Sequence, residues 1–396
     1  MVEIEFSMME GAPGDVNKLL PLLDAFEMQY HIHVNVIGIP WETGWTEIAK
    51  FGIYGNGPDV SCLGSTWIGS LAAMQALRPF SAQDVRALGG PETFFEPIWR
   101  AGFLPDDAAT WAIPWLGDAM IFYYWKAAFE KAGIENPELA LSTGPGLTGT
   151  LEKLRQSGFA FPLELTTTKG SRILHEAAHW IWSSGGDMIS ADRRQVVFSQ
   201  PAAMQGLHEY FSLQPYISPK SLTHGLAAPN TLFSAKEAAL SMGGTWLGVL
   251  GHQQSPGWNQ EVGIQVPEKT YVGGASFVVW RYTHHSQEAF ELIRFLSAQP
   301  SHIPVSPHSS EVPTKRDALY MPSLESDAVH RGFIQAMQTG RSFPALRLWG
   351  SIEDRLISEI SGIWADLFAE PGQDLDACLH KHLDPLAQRL NLLLEN

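Results

Sequence analysis

The one metal-ligating pattern that stands out in this chain is His175-Glu176-Ala177-Ala178-His179. On a helix, residues four apart share a face, so two ring nitrogens could hold one zinc ion while Glu176 acts as general base toward a bound water. That chemistry would be peptide hydrolysis. The extended form of the motif breaks at Trp182, which stands where a glycine belongs, so a third ligand would have to come from a downstream acid such as Glu209. Fourteen histidines also make a chance match easy. The plainer reading is an ordinary helix face, with a zinc metallopeptidase as the alternative.

A second chemistry would pair carboxylates. Asp118 with Glu10 or Glu42 would suit a glycoside hydrolase, which needs two carboxyl groups about 5–10 Å apart. Sequence spacing does not establish that distance. No nucleophile elbow, P-loop or dinucleotide glycine fingerprint is present, and Gly243-Gly244 and Gly273-Gly274 have the wrong spacing for phosphate. What the chain has in abundance is tryptophan. Fourteen, many beside Gly or Pro, suggest an aromatic-lined cleft. Trp41 and Trp45 share the loop-like Pro40-Trp41-Glu42-Thr43-Gly44-Trp45, and Trp246 closes Leu232–Trp246, LFSAKEAALSMGGTW. In that stretch a short helix leads into a buried strand over Ala239–Met242. Two glycines then turn the chain, and Trp246 emerges at the strand end, where open α/β sheets bind ligands. Taken locally, the plainer reading of Trp246 is one more core aromatic.

These residues must be positioned by a chain of 396 residues, too long for one ordinary domain and with 45% hydrophobic content, so two lobes are expected. A formal net charge of −16 with only 17% charged residues excludes nucleic acid and anionic membrane as partners, since both need a basic face. Cys62 and Cys378 read as two separate thiols. No stretch has the apolar length of a membrane span. Met1-Val2-Glu3 runs straight into a strand-like Ile4-Glu5-Phe6 without a signal pattern, so the protein is either cytoplasmic or an exported form numbered without its signal.

The first 115 residues alternate strands and helices. Glu3–Met9 is a strand, with Asp15 as N-cap of a helix over Val16–Tyr30, and His31–Ile39 a second strand. This βαβ unit implies a parallel sheet. A helix over Gly44–Tyr54 and a strand after Gly55–Val60 follow. Ser65 or Thr66 caps a third helix running through Leu77 and leaves backbone N–H groups at its start. Ala119–Tyr124 is an apolar strand, Lys126–Ala132 a helix closed by Gly133, and Glu138–Thr150 a loop. Helices cover Thr148–Ser157, Ile173–Ser183, Pro201–Leu213 and Gln287–Gln299. Val262–Pro267 and Gly274–Val279 are strands, Pro304–Pro313 a linker, and the tail from Ser351 is helical.

The ordered set Gly55–Val60 (GNGPDV), Ala112–Ile134 (AIPW…D…YYWKAAFEKAGI), Ser183–Met188 (SSGGDM), Leu232–Trp246 and Gly273–Trp280 (GGASFVVW) resembles the extracellular solute-binding proteins of sugar ABC importers, the maltose-binding-protein-like group. The resemblance spans nearly the whole chain. It departs where the usual Tyr-Asn-Lys is Tyr124-Trp125-Lys126 and where Ala235 replaces a glycine. The family's Pro-Thr-Thr-Trp loop is also replaced, by Leu141–Thr150. The resemblance implies a two-lobed, periplasmic-binding-protein-like α/β fold of type II, with hinge crossings near 114–118, 267–272 and 313–320. An N-terminal lobe would take 1–114 and 272–315, and a C-terminal lobe 118–268 and 320–396. The ligand would bind between the lobes as the hinge closes.

It further implies a carbohydrate receptor that is a monomer, is not an enzyme and has no cofactor. Such a receptor lies in the periplasm or on the cell surface and delivers its ligand to the transmembrane subunits of an ABC permease. A pyranose has apolar C–H faces and a polar rim, so aromatic rings and charged or amide groups together select it. By family position the contacts are Glu10, Ser65, Thr66, Trp67, Trp115, Asp118, Gly274, Arg347 and Trp349, with Trp246 as the stacking platform of the C-terminal lobe. His175 lies on a helix whose start the family uses for sugar contacts, and at least one of Trp41 and Trp45 should meet ligand. Asp59 reads as structural.

Overall fold

The computed structural model describes residues 2–10, 15–41, 43–104, 107–142, 144–223, 230–255, 257–298, 312–317 and 328–394. Eleven strands occur among them: β1 (Val2–Glu10), β2 (Ile32–Pro40), β3 (Val60–Gly64), β4 (Leu77–Arg78), β5 (Ile113–Ala119), β6 (Ile121–Trp125), β7 (Leu163–Glu164), β8 (Leu240–Gly243), β9 (Val262–Gln265), β10 (Val272–Trp280) and β11 (Val312–Pro313). The chain forms two compact units. One takes the described residues of 1–118, 272–326 and 342–350, the other those of 119–271, 327–341 and 351–396. The segment Ser342–Gly350 returns to the first unit and carries Arg347 and Trp349 with it, a pair of crossings that the sequence reading, with its single lobe over 320–396, does not contain. The linker expected at Pro304–Pro313 lies almost wholly outside the described residues.

In the first unit the sheet order is β11-β5-β10-β3-β1-β2, with β4 on β10. β1 pairs parallel with β2 from Val2↔Ile32 to Glu10↔Pro40, and parallel with β3. The connecting helix Leu20–Tyr30 buries Leu22, Leu23 and Phe26 on the sheet. It starts later than Val16, because Pro21 sits in its first turn and Asp15–Leu19 winds as a 3-10 helix before it. The sheet is mixed rather than parallel throughout: β10, which enters from the second unit, is antiparallel to β3, and β11 is antiparallel to β5. Phe6, Phe26, Phe277, Ile293 and Trp115 lie in one buried cluster.

The second unit holds the sheet β7-β8-β6-β9, in which β6 is antiparallel to β8 and β9 while β7 and β8 are parallel. The helix Ser171–Ser183 presents Trp180 edge-on to Phe122 of β6, and Trp180 in turn meets Tyr210 of the helix Pro201–Phe211. Trp364, from the helix Trp349–Ala369, closes on Tyr210 and Phe211. Where the sequence reading puts a loop over Glu138–Thr150, helices run over Pro137–Ala140 and Gly144–Gln156. Pro137 and Pro145 lie in first turns, where a missing N–H costs nothing, and the buried Leu147, Leu151 and Leu154 form a 3.6-residue stripe behind them.

Candidate functional site

On the first unit, three tryptophans gather at the C-terminal ends of β2 and β3. Trp67 lies 5.7 Å from Trp41 and 5.9 Å from Trp45 between ring centroids, in tilted contact. All three are half-buried. Gly64 ends β3 and leaves room for them, since a Cβ there would stand 3.2 Å from the Trp41 ring. The chain then turns through the 3-10 helix Ser65–Trp67, in which Ser65 is buried and Thr66 half-buried. Neither caps the next helix, Ile68–Ala73, through its side chain as expected. Glu10 ends β1 nearby in the same sheet. Its carboxylate accepts the Val16 N–H at 3.1 Å, which gives it at least a loop-holding role. Asp118 is the half-buried penultimate residue of β5. Its proposed hydrolase partner Glu42 lies outside the described residues.

On the second unit, β8 ends at Gly243, and the helix Thr245–Gln254 begins with Trp246 in its first turn. The indole is half-buried and held at two places. Its Nε1–H donates to Asn230 Oδ1 at 3.0 Å, and the Arg172 guanidinium lies over the ring, 5.2 Å from the centroid. Asn230 is buried in the left-handed region at φ 55°, a conformation asparagine tolerates better than most residues. Its amide donates to Ser241 Oγ at 2.8 Å and to the Met242 carbonyl at 3.0 Å, so the strand β8 fixes the residue that fixes Trp246. Glu164, buried under this turn, accepts the Leu232 and Phe233 N–H groups, and burial raises its carboxyl above the usual carboxylate range.

The His-Glu-x-x-His helix is built for bracing rather than for zinc hydrolysis. Glu176 is buried and already engaged, accepting the Thr166 N–H at 2.8 Å and its hydroxyl at 2.7 Å. Burial pushes its carboxyl up to about 7. His179 Nδ1 donates to the Lys269 carbonyl at 2.8 Å, and desolvation brings the ring down to about 4. His175 stacks on Tyr271 with centroids 3.9 Å apart and planes 10° from parallel, and desolvation brings it down to about 3. Its Nε2 stands 4.0 Å from Glu353 Oε1, but a ring so hard to protonate is not an ion-pair partner at neutral pH. Both histidines thus hold the segment 269–271, after which the chain passes into the first unit. Glu209 lies instead against Gly144, and among the described residues the only group of three or more His, Cys, Asp or Glu donors within metal-sharing distance is elsewhere.

Two expected contacts are corrected. Trp115 is 4% exposed in the core of the first unit, stacked on Phe277 at 4.5 Å and meeting Phe6 edge-on, so its ring is a packing element. Gly274 is a backbone requirement: at φ +137° its hydrogen faces the Leu116 carbonyl, and a Cβ would collide with it as β10 passes β5. Trp349 is also buried and packs on Phe343 at 4.9 Å, although its Nε1 has no hydrogen-bond partner among the described residues. Arg347 is exposed. Sequence spacing does not single out Asn230 and Arg172. The only local signals for them were Pro229 before the asparagine and a basic residue at a helix start.

The sequence profile of the family described as bacterial extracellular solute-binding protein matches residues 22–329. A binding protein of Brucella abortus (strain 2308) is 20% identical over 346 residues, covering 84% of this chain and 81% of its own length. Among solved structures, an ABC transporter solute-binding protein from Thermotoga lettingae TMO, bound with α-D-tagatose, superposes with a TM-score of 0.84 at 17% identity over 100% of both chains. Maltose-bound MalE3 of T. maritima gives 0.84 at 18% identity, covering 99% of this chain and 100% of its own. A substrate-binding protein from Listeria monocytogenes in complex with cycloalternan gives 0.82 at 19% identity, covering 98% and 99%. At these identities the structures show a shared two-lobed α/β fold.

Proposed function

The chain belongs to the family of bacterial extracellular solute-binding proteins, and from that premise we propose that its solute is a mono- to oligosaccharide handed to the transmembrane subunits of an ABC permease. The observation that carries this reading is the mounting of Trp246. An indole anchored at its N–H by Asn230 and covered on one face by Arg172 offers its opposite face as a fixed apolar plate, which suits the C–H face of a pyranose. The tryptophans at 41, 45 and 67 offer a comparable surface on the first unit, with Ser65 and Thr66 just before Trp67, Glu10 opposite Pro40 in the β1–β2 ladder and Asp118 on β5 as polar groups of the same unit. The named neighbours bind tagatose, maltose and cycloalternan, which supports a carbohydrate without choosing one. In this reading the protein acts outside the cytoplasm, as a monomer and without catalysis.

The test is thermal shift and tryptophan fluorescence against a panel of mono- to trisaccharides. One or more sugars should raise the melting temperature in proportion to the logarithm of their concentration over Kd. In Trp246→Ala that shift should require at least about tenfold more sugar, the loss of about 1.5 kcal/mol expected of one stacked ring. A panel in which no saccharide shifts the wild type would overturn the carbohydrate reading.

A further inference from the structure

The last two helices, Trp349–Ala369 and Leu375–Leu394, carry a cluster that sugar binding does not use. Cys378 and His382 are four residues apart and therefore share one face of the second helix. Asp366 meets them from the first. A cysteine sulfur, a histidine ring nitrogen and a carboxylate oxygen from these residues all lie within 4.8 Å of one another. Cys378 is a free, buried cysteine, while Asp366 and His382 are half-buried, so the cluster has a closed floor and a solvent side.

The histidine is oriented from behind. His382 Nδ1 lies 2.7 Å from Glu359 Oε2, and a carboxylate there fixes Nδ1 as the protonated nitrogen. Nε2 then points to Asp366 Oδ2, 3.0 Å away. A carboxylate behind a histidine whose other nitrogen faces a second carboxylate, with a thiol in the same cluster, is the outer-shell arrangement that raises imidazole basicity toward a metal. The mixed sulfur, nitrogen and oxygen set selects a borderline-soft divalent ion over calcium or magnesium.

We propose that Asp366, Cys378 and His382 form a zinc-type transition-metal site that ties the two C-terminal helices together, with the fourth position left to water. Without the ion, a proton bridges His382 and Asp366, and Lys381 Nζ sits 2.7 Å from the same carboxylate oxygen. Loading replaces these contacts. The proton held between Nε2 and Asp366 and the Cys378 thiol proton both pass to solvent, the divalent ion takes the freed Nε2 lone pair and an Asp366 oxygen, and a metal–thiolate bond forms with no change of oxidation state. Lys381 is largely exposed on a flexible stem, and solvent screens such a surface pair, so it can swing aside. Metal–ligand bonds of about 2.0–2.3 Å place tetrahedral donors closer together than 4.8 Å, so the side chains need to contract by about 1 Å.

The experiment is titration of the full-length protein with Co2+ as a spectroscopic probe, followed by Zn2+ competition. One equivalent of Co2+ should produce a thiolate-to-cobalt charge-transfer band and tetrahedral visible bands, both bleached by Zn2+. Cys378→Ser should lose the charge-transfer band, and His382→Gln should weaken binding at least about tenfold. Should Cys378→Ser not fold, Asp366→Asn, at a half-exposed position, must weaken Co2+ binding at least about tenfold with an unchanged circular dichroism spectrum. No band in the wild type would overturn the site. So would a band that survives Cys378→Ser, which would put the ion at Cys62 instead.

Discussion

The helix Ser171–Ser183 carries three titratable groups, Glu176 and His179 buried and His175 half-buried, whose effects on stability oppose one another, and this gives a pH profile with a definite shape. His175 and His179 are held at about 3 and about 4 against an ordinary value of 6.5, because burial disfavours the imidazolium. Their folded values are lowered, so below pH 6.5 the unfolded chain takes up protons that the folded chain refuses. Each histidine therefore removes stability as pH falls, at about 1 kcal/mol per pH unit. Glu176 has the opposite sign. Burial raises it to about 7 from 4.5, so the folded chain keeps a proton that the unfolded chain has released. Its contribution is full below pH 4.5 and is lost as pH rises to about 7, for a total of about 3 kcal/mol. Between pH 4.5 and 6.5 two histidines outweigh one glutamate, so this helix makes the protein more stable toward neutrality by about 1 kcal/mol per pH unit.

Glu176→Gln isolates the glutamate. The glutamine replaces one of the two Glu176 oxygens that meet the Thr166 N–H and hydroxyl by an amide NH2, an offset of about 1–3 kcal/mol. On top of that offset, wild type should lose ground to the variant by about 1 kcal/mol per pH unit from pH 4.5 to 7, and the difference should then become constant. Urea unfolding followed by far-ultraviolet circular dichroism at half-unit pH steps measures it. A difference that stays flat between pH 4.5 and 7 would refute the reasoning, because Glu176 would then not hold its proton in the fold. A gain of stability on adding Zn2+ that His179→Gln abolishes would instead revive the metallopeptidase reading of this helix.

Two tryptophans should separate cleanly: Trp115→Ala should cost about 3–5 kcal/mol in chemical denaturation, as core truncations do, whereas Trp246→Ala should cost about 1 kcal/mol or less and register in sugar titrations. Gly274→Ala should lower the melting temperature by several degrees, since it meets both a left-handed backbone and the Leu116 carbonyl; an unchanged melting temperature would mean β10 and β5 do not approach this closely. Asn230→Ala removes the acceptor of the Trp246 N–H and the donor to β8, and should weaken saccharide binding several-fold in isothermal titration while leaving Trp246 present.

The difference between these tryptophans also marks how far the sequence could be read. Strand and helix order was legible because period carries it: β1 and β2 alternate, and the helix Gly44–Tyr54 matches its expected bounds because Gly55 ends it in the left-handed region at φ 62°. The helix over Gly144–Gln156 was not legible, because turn-forming residues in its first turn hid the leucine stripe behind them. The His-Glu-x-x-His motif was visible, but the fate of its glutamate was decided by Thr166, on a neighbouring segment. Trp41, Trp115 and Trp246 are the same residue type beside similar glycines and prolines. What distinguishes them is the partner each ring finds across the fold: Phe277 for Trp115, Trp67 for Trp41, Asn230 and Arg172 for Trp246. Those partners come from other elements, so no local spacing encodes them. A binding platform differs from a core aromatic in having its polar edge and one face held while the other face stays uncovered. The platform proposed at Trp246 would therefore rest on Asn230 and Arg172, which hold its N–H edge and one face, as much as on the tryptophan itself.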